Sequence, residues 1–192
     1  MYPKPWKVIS TIRDNSYRVF SLRKDRALSP RTGEEHDFFI LESSPWVNVI
    51  PLTPENEVVM VRQYRHGLQD VTLEIPGGLV EAQDSPAGAA ERELYEETGF
   101  RSLDMISLGS VHPNPAILNN VCYTYLAKGV YKAGLQQQDE KEDIEVLLRP
   151  LNEIPYLIKK GEITHSLVLV AFYRLFMEFG ALENYVQGLD FL

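Results

Sequence analysis

The sequence predicts an α+β fold: an αβα sandwich preceded by a small N-terminal antiparallel β-sheet extension. Three observations predict it. Short runs alternating apolar and polar residues, bounded by Gly, Pro, Asn and Asp, recur along the chain and read as strands. One punctuated amphipathic helix stands between such runs, from Ser85-Pro86 to Gly99. A second helix, over 165–179, is apolar on most sides and reads as buried at the end of the fold.

The elements follow in order. Residues 6–12, 17–24 and 36–42 read as strands with turns at Asp14-Asn15 and at Pro30 to Gly33, forming the extension over 1–44. After a break at Ser43 to Pro45, the main domain over 45–192 begins. WVNVIPLT and EVVMVRQY read as two paired strands around Pro54-Glu55-Asn56. Leu73 to Ile75 is a brief strand delivering the chain into Gly77-Gly78, where a missing side chain allows close backbone approach to a ligand. Past the helix, RSLDMISLGSVHP and NVCYTYLAKG are strands flanking the stiff loop His112 to Pro115. An acidic polar loop over 134–143 precedes the strand IEVLLRP, and its QQQ run reads as solvated. Helices close the chain at 151–160 and at 165–179, the latter with Thr164 as N-cap.

The helix after Ser85 carries the chemistry. Ala87, Ala90 and Leu94 share one face for packing. Glu93, Glu96 and Glu97, spaced i, i+3, i+4, share another. Carboxylates at a helix C-terminus cost about 0.3–1 kcal/mol each, and like charges at i, i+4 repel further. Arg92 can pair with Glu96 at i+4, but one cation does not neutralise three carboxylates; a divalent ion beside it could. Oxygen ligands without Cys or His point to Mg2+, or Mn2+ in its place.

These residues resemble the Nudix family, marked by Gly, five residues, Glu, seven residues, then Arg-Glu-aliphatic-any-Glu-Glu-any-Gly-aliphatic. Gly78, Arg92, Glu93, Leu94, Glu96, Glu97, Gly99 and Phe100 match in register, and Asp84 stands where the family has its first Glu. That Glu supports the helix start and the Arg, so the departure leaves function in place. The resemblance implies the Nudix-type αβα sandwich, with the Gly77 carbonyl, Glu93, Glu96 and Glu97 holding metal and Arg92 orienting the glutamates.

Members acting on ADP-ribose and other nucleoside diphosphate sugars carry Glu-any-Glu before a strand at the position of Glu140 and Glu142, and a proline about 15 or 16 residues past the box. Pro115 lies 16 past Gly99. VRQYR at 61–65, LEIPGGLVE at 73–81 and KKGEI at 159–163 agree as well. The resemblance implies Glu142, or Glu140 beside it, as the catalytic base. Asn114 to Asn120, NPAILNN, departs from the loop of enzymes dedicated to ADP-ribose, which leaves ADP-sugars and GDP-mannose open. Arg62 and Arg65 are candidate phosphate contacts, Trp46 a base-stacking candidate, and Glu74 a hydrogen-bonder to base or sugar or an anchor of its own turn. The leading sheet commonly exchanges between subunits in this subgroup, which implies a homodimer.

Composition bounds the rest. A net charge of -8 argues against nucleic acid or an anionic membrane as the main partner, since both reward clustered Lys and Arg. A single cysteine, Cys122, forms no internal disulfide and fits a reducing cytoplasm. No segment has the length of a membrane span, and MYPKPWKV lacks a signal-peptide core. The expected function is Mg2+-dependent hydrolysis of a nucleoside diphosphate sugar to a nucleoside monophosphate and a sugar phosphate; the alternative is a module that binds such a ligand without cleaving it.

Overall fold

A computed structural model describes residues 3–17, 19–138 and 141–179. The chain divides into two compact units, Met1–Pro45 with Val111–Val121, and Trp46–Ser110 with Cys122–Leu192.

The first unit holds a three-stranded antiparallel sheet, β1 (Lys7–Ser16), β2 (Ser21–Leu28) and β3 (Glu35–Glu42), in that order. β1 runs on past Asp14-Asn15, where the turn was expected, and the Tyr17 N–H beyond its end donates to the Phe20 carbonyl at 2.7 Å. The pairing register shifts between Arg13 and Ser16, so the Asp-Asn signal marks an irregularity within β1. The second turn lies where Pro30 to Gly33 predict it, with Gly33 at φ 74°. The loop around Pro115 belongs to this unit: the Leu41 N–H donates to the Ile117 carbonyl, and the Ser43 N–H to the Asn119 side chain.

The second unit is built on a mixed sheet. Its strands are β4 (Trp46–Leu52), β5 (Glu57–Arg65), β6 (Asp70–Glu74) and β7 (Gly77–Leu79) before the central helix α1 (Pro86–Thr98). Then follow β8 (Phe100–Arg101), β9 (Asp104–Val111), β10 (Cys122–Lys128), β11 (Tyr131–Lys132) and β12 (Ile144–Pro150). The order is β12-β5-β4-β10-β9, with β6 on β5, β7 on β4, and β8 paired with β11 apart. The pairing expected between β4 and β5 around Pro54 to Asn56 is present, at Leu52↔Val58 beside their turn. Beyond it the two strands part to admit β6 and β7. β7 pairs Gly77 with Asn48, and the Pro76 carbonyl accepts the Val49 N–H at 2.9 Å. The Gly pair is thus a strand of the sheet and not a free loop.

Both sheet faces are covered, so β4 alternates between two cores. Val47 and Val49 pack with Ala89, Ala90 and Leu94 of α1, whereas Ile50 packs with Ile154, Phe172 and Leu175 of the other helices. Those helices are α2 (Ile154–Lys160), entered through a 3-10 turn at Leu151–Glu153, and α3 (Ser166–Glu178). His165, not Thr164, takes the N-cap position of α3, without a side-chain cap bond. The αβα sandwich with its small antiparallel sheet stands as expected.

Candidate active site

α1 begins and ends where its sequence signals lie. Ser85 is extended and its hydroxyl accepts the Gly88 N–H at 3.0 Å, Pro86 fills the first turn, and Gly99 at φ 70° returns its N–H to the Tyr95 carbonyl. The expected division into an apolar and an acidic face is only partly right. Ala87 is half-buried, while Ala89, Ala90, Leu94 and Glu97 are buried. Glu97 lies one turn beyond Leu94 on the packed stripe and is 4% exposed. The side chains of Glu93 and Glu96 are 12% and 37% exposed, so the three carboxylates form a gradient from core to solvent.

The pair Gly77-Gly78 makes this gradient possible. A Cβ on Gly77 would collide with the Val47 carbonyl of β4, and one on Gly78 with the Glu93 carboxylate. The close approach predicted at the first glycine is therefore to the neighbouring strand. The second leaves room for an acid. From β7 the Gly77 N–H donates to Glu97 Oε2 at 3.2 Å.

Arg92 holds the outer acids. Its Nε donates to Asp84 at 3.0 Å, one terminal nitrogen donates to Glu93 at 2.8 Å and Glu96 at 3.0 Å, and the other to the Leu79 carbonyl at 2.9 Å. Asp84, one methylene shorter than the family's glutamate, still reaches the arginine. Burial works against the Arg92 charge, but Glu93, Asp84 and Glu96 outweigh it and raise its pKa above the ordinary arginine value.

The acids inside are less well compensated. Burial, then the neighbouring Glu93 charge, push the Glu97 pKa well above the ordinary glutamate value against the Gly77 N–H. Glu93 is raised too, chiefly by burial, against the pull of Arg92. Glu142, exposed just before β12, adds its charge to both. Glu140 lies outside the described residues.

The helix C-terminus is stabilised by groups that the sequence reading missed. Lys132 Nζ donates to the Thr98 carbonyl at 2.7 Å, Gln136 Nε2 to the Glu97 carbonyl at 2.7 Å, and the Gln137 N–H to the Glu96 carbonyl at 2.8 Å. These three donors from one segment satisfy carbonyls that a helix end leaves open. They offset the adverse position of the acids. The only sequence signal was the QQQ run, whose amides carry no periodicity.

The remaining candidates divide. Arg65 forms a two-pronged pair with Glu74 at 2.8 and 2.7 Å, and Thr72 donates to the same carboxylate at 2.6 Å. Glu74 is 2% exposed; burial works to raise its pKa, but Arg65 and Thr72 hold it below the ordinary value. It thus serves as the anchor of Arg65, whose partly exposed guanidinium feels the charges of Glu97 and Glu142. Arg62 pairs with Glu145 at 2.8 Å on the exposed surface. Trp46 is half-buried at the start of β4, paired between Leu79 and Cys122.

The structure thereby gathers Gly77, Arg92, Glu93, Glu96 and Glu97 at one end of α1, with Glu142 and Arg65 within electrostatic reach. Among the described residues, no three His, Cys, Asp or Glu side chains already converge as a ligand cage. Glu93 and Glu96 are turned to Arg92, and Glu97 to Gly77. The donor set nevertheless fits Mg2+, which takes one or two carboxylates and keeps water and phosphate oxygens for the rest. Comparison with known proteins decides the family, since the NUDIX domain matches residues 43–172. The chain belongs to the Nudix family.

Among Nudix relatives, the chain is 36% identical over 169 residues to the methanol dehydrogenase activator of Bacillus methanolicus, covering 86% of this chain and 89% of the relative. It is 29% identical over 118 residues to the ADP-ribose pyrophosphatase of Bacillus subtilis, covering 61% of this chain and 64% of that one. The crystal structure of an ADP compounds hydrolase superposes with a TM-score of 0.81 over 98% of both chains at 20% identity, which establishes the shared Nudix fold. Among the described residues no helix is long and apolar enough to cross a membrane.

Proposed function

We propose that the protein hydrolyses the diphosphate linkage of a nucleoside diphosphate sugar, with Mg2+ as cofactor, to a nucleoside monophosphate and a sugar phosphate. The observation that carries this reading is the excess of carboxylate at one place. Glu93 and Glu97 are both held above their ordinary pKa by burial at the end of α1, with Glu142 adding to the field. A stable fold gains nothing from that arrangement. A site for a cation does. Support for the substrate class comes from relatives described as ADP-ribose pyrophosphatases and from the GDP-mannose pyrophosphatase of Enterobacter, 30% identical over 124 residues.

In this reading Glu93, Glu96, Glu97 and the Gly77 carbonyl hold the cation. Mg2+, when bound, offsets the diphosphate charge and lets water attack near neutral pH. Glu142, with Glu140 beside it in sequence, takes the proton of the attacking water. Arg92 keeps Glu93 and Glu96 oriented. Arg65, fixed by Glu74, presents its free edge to a phosphate oxygen. Arg62 and Trp46 are assigned to the outer phosphate and the base.

A panel of ADP-ribose, ADP-glucose and GDP-mannose tests the reading. Release of nucleoside monophosphate plus sugar phosphate that stops in excess chelator is expected. Tight binding by calorimetry without cleavage of any member would make the protein a sensor instead. A second reading, activation of a dehydrogenase, is favoured by the 36% identity to the activator. It predicts a faster methanol dehydrogenase on addition of this protein, an effect that simple hydrolysis of nucleotide sugars does not produce.

The assembly belongs to the same proposal. Val8, Ile12 and Phe39 on the three-stranded sheet, and Trp6 just before it, are exposed in the single chain, which supports a homodimer formed through that sheet. Light scattering is expected to give twice the chain mass, and a monomer would contradict it. A cytoplasmic setting accords with the lone Cys122, whose thiol burial pushes up to about 12.

A further inference from the structure

The run Gln136 to Gln138 joins two parts of the site. Gln136 Nε2 donates to the Glu97 carbonyl at 2.7 Å and to the Ile144 carbonyl at 3.0 Å. Gln138 Nε2 donates to the same Ile144 carbonyl at 2.9 Å, and its Oε1 accepts the Ile144 N–H at 3.4 Å. Ile144 is buried at the start of β12, two residues after Glu142. One side-chain nitrogen therefore spans from the backbone of the most buried of the α1 glutamates to the backbone that carries Glu142.

The chemistry of the bridge restricts what can form it. Both acceptors are carbonyls, so the bridging group needs two N–H donors on one atom. A primary amide supplies them without adding a charge beside Arg65, Glu97 and Glu142. Asn is one methylene too short to span, Met has no donor, and Glu ionised has none. Among the described residues of the segment, Lys132 donates to the Thr98 carbonyl and lies over the Phe100 ring, and Gln138 bonds the Ile144 backbone, so neither makes the bridge from α1 to β12.

We infer that Gln136 is a positioning residue for the hydrolysis, fixing the distance between Glu142 and the Glu97 end of α1. The inference rests on the proposed role of Glu142 as base. Placement errors of an ångström in a reacting group cost about a hundredfold in rate, whereas the residues proposed above to bind the substrate, Arg62, Arg65 and Trp46, are not among the described hydrogen-bond partners of the Gln136 side chain. A split between kcat and KM follows.

The test is a double-mutant cycle of Gln136→Met with Glu142→Gln, assayed on the nucleotide sugar that turns over best. Gln136→Met alone is expected to lower kcat by about ten- to a hundredfold. KM, and Mn2+ affinity by electron paramagnetic resonance without substrate, should stay within about twofold. Exchange of the Ile144 amide proton should quicken. In the Glu142→Gln background the same substitution should cost nothing further. Gln136→Asn, which keeps the amide but not the span, should repeat the kcat loss and serves if the Met variant fails to fold. An equal loss in both backgrounds, or unchanged kcat in the folded variant, overturns the inference. Full activity of Glu142→Gln by itself overturns the base assignment instead, so the two failures are told apart.

Discussion

Replacing Glu97 by Gln is expected to abolish turnover and at the same time to make the metal-free protein more stable. The carboxylate is almost fully buried beside Glu93 and within the field of Glu142, with the Gly77 N–H and the weaker pull of the Arg65 charge to offset it. In the proposed site it helps to hold the cation, and loss of several kcal/mol of transition-state stabilisation corresponds to about a thousandfold or more in rate. The stability change has the opposite sign. The folded-state pKa of Glu97 lies above its unfolded value, so the folded protein prefers it protonated. Its contribution is fully present below the unfolded glutamate pKa and is lost as pH rises through the raised folded value. The metal-free wild type should therefore melt at lower temperature as pH rises above the ordinary glutamate range. E97Q should melt higher at pH 8 and show a shallower pH slope. Mg2+ should raise the melting temperature of the wild type and leave E97Q nearly unmoved. Scanning calorimetry across pH, with and without Mg2+, reads all of these. A variant that turns over normally, or that melts lower than wild type without metal, contradicts the assignment.

Replacing Arg92 by Met is expected to be the most destabilising single change at the site. Four acceptors depend on it, namely Asp84, Glu93, Glu96 and the Leu79 carbonyl. Breaking a buried pair from one side costs about 3–5 kcal/mol, and the 27% exposure of the Arg92 side chain places the loss near the lower figure. Lys should not rescue it. A single ammonium cannot point along Nε toward Asp84 and along both terminal nitrogens toward the other three. Urea denaturation of R92M and R92K should give lower midpoints with similar slopes, and the loss should shrink at acid pH as Glu93, whose pKa is raised chiefly by burial, is protonated. A lysine variant of wild-type stability would mean that charge alone, and not the planar fork, holds the cluster.

The sequence was most legible where local chemistry decides the structure. Ser85, Pro86 and Gly99 mark the limits of α1 because capping and positive φ are properties of single residues. The carboxylate spacing placed Glu93, Glu96 and Glu97 within one turn for the same reason. What failed depends on partners distant in sequence. The expected β4–β5 pairing is present beside its turn, but β6 and β7 insert between the two strands beyond Leu52, which no pattern within 46–65 can announce. Glu97 was placed with the outer acids because helical geometry alone does not say how wide the covered stripe is; the sheet beneath Leu94 extends to it. Glu74 was open between a ligand contact and an anchor of its own turn; its pairing with Arg65, nine residues away, is a contact that neither alternative named. Gln136 was invisible for a further reason. An amide that bridges two backbone carbonyls leaves no charge pattern and no hydrophobic period.

The central claim is that the acidic end of α1, beside the Gly77 strand, holds divalent cations. Anomalous scattering from a crystal of the protein grown with Mn2+ tests it most directly. The account predicts a peak within bonding distance of the Glu93 and Glu97 carboxylates, with Arg92 drawn back toward Asp84. Data that place manganese elsewhere, or that show those two side chains still bonded to Arg92 and Gly77 at saturating Mn2+, would contradict it.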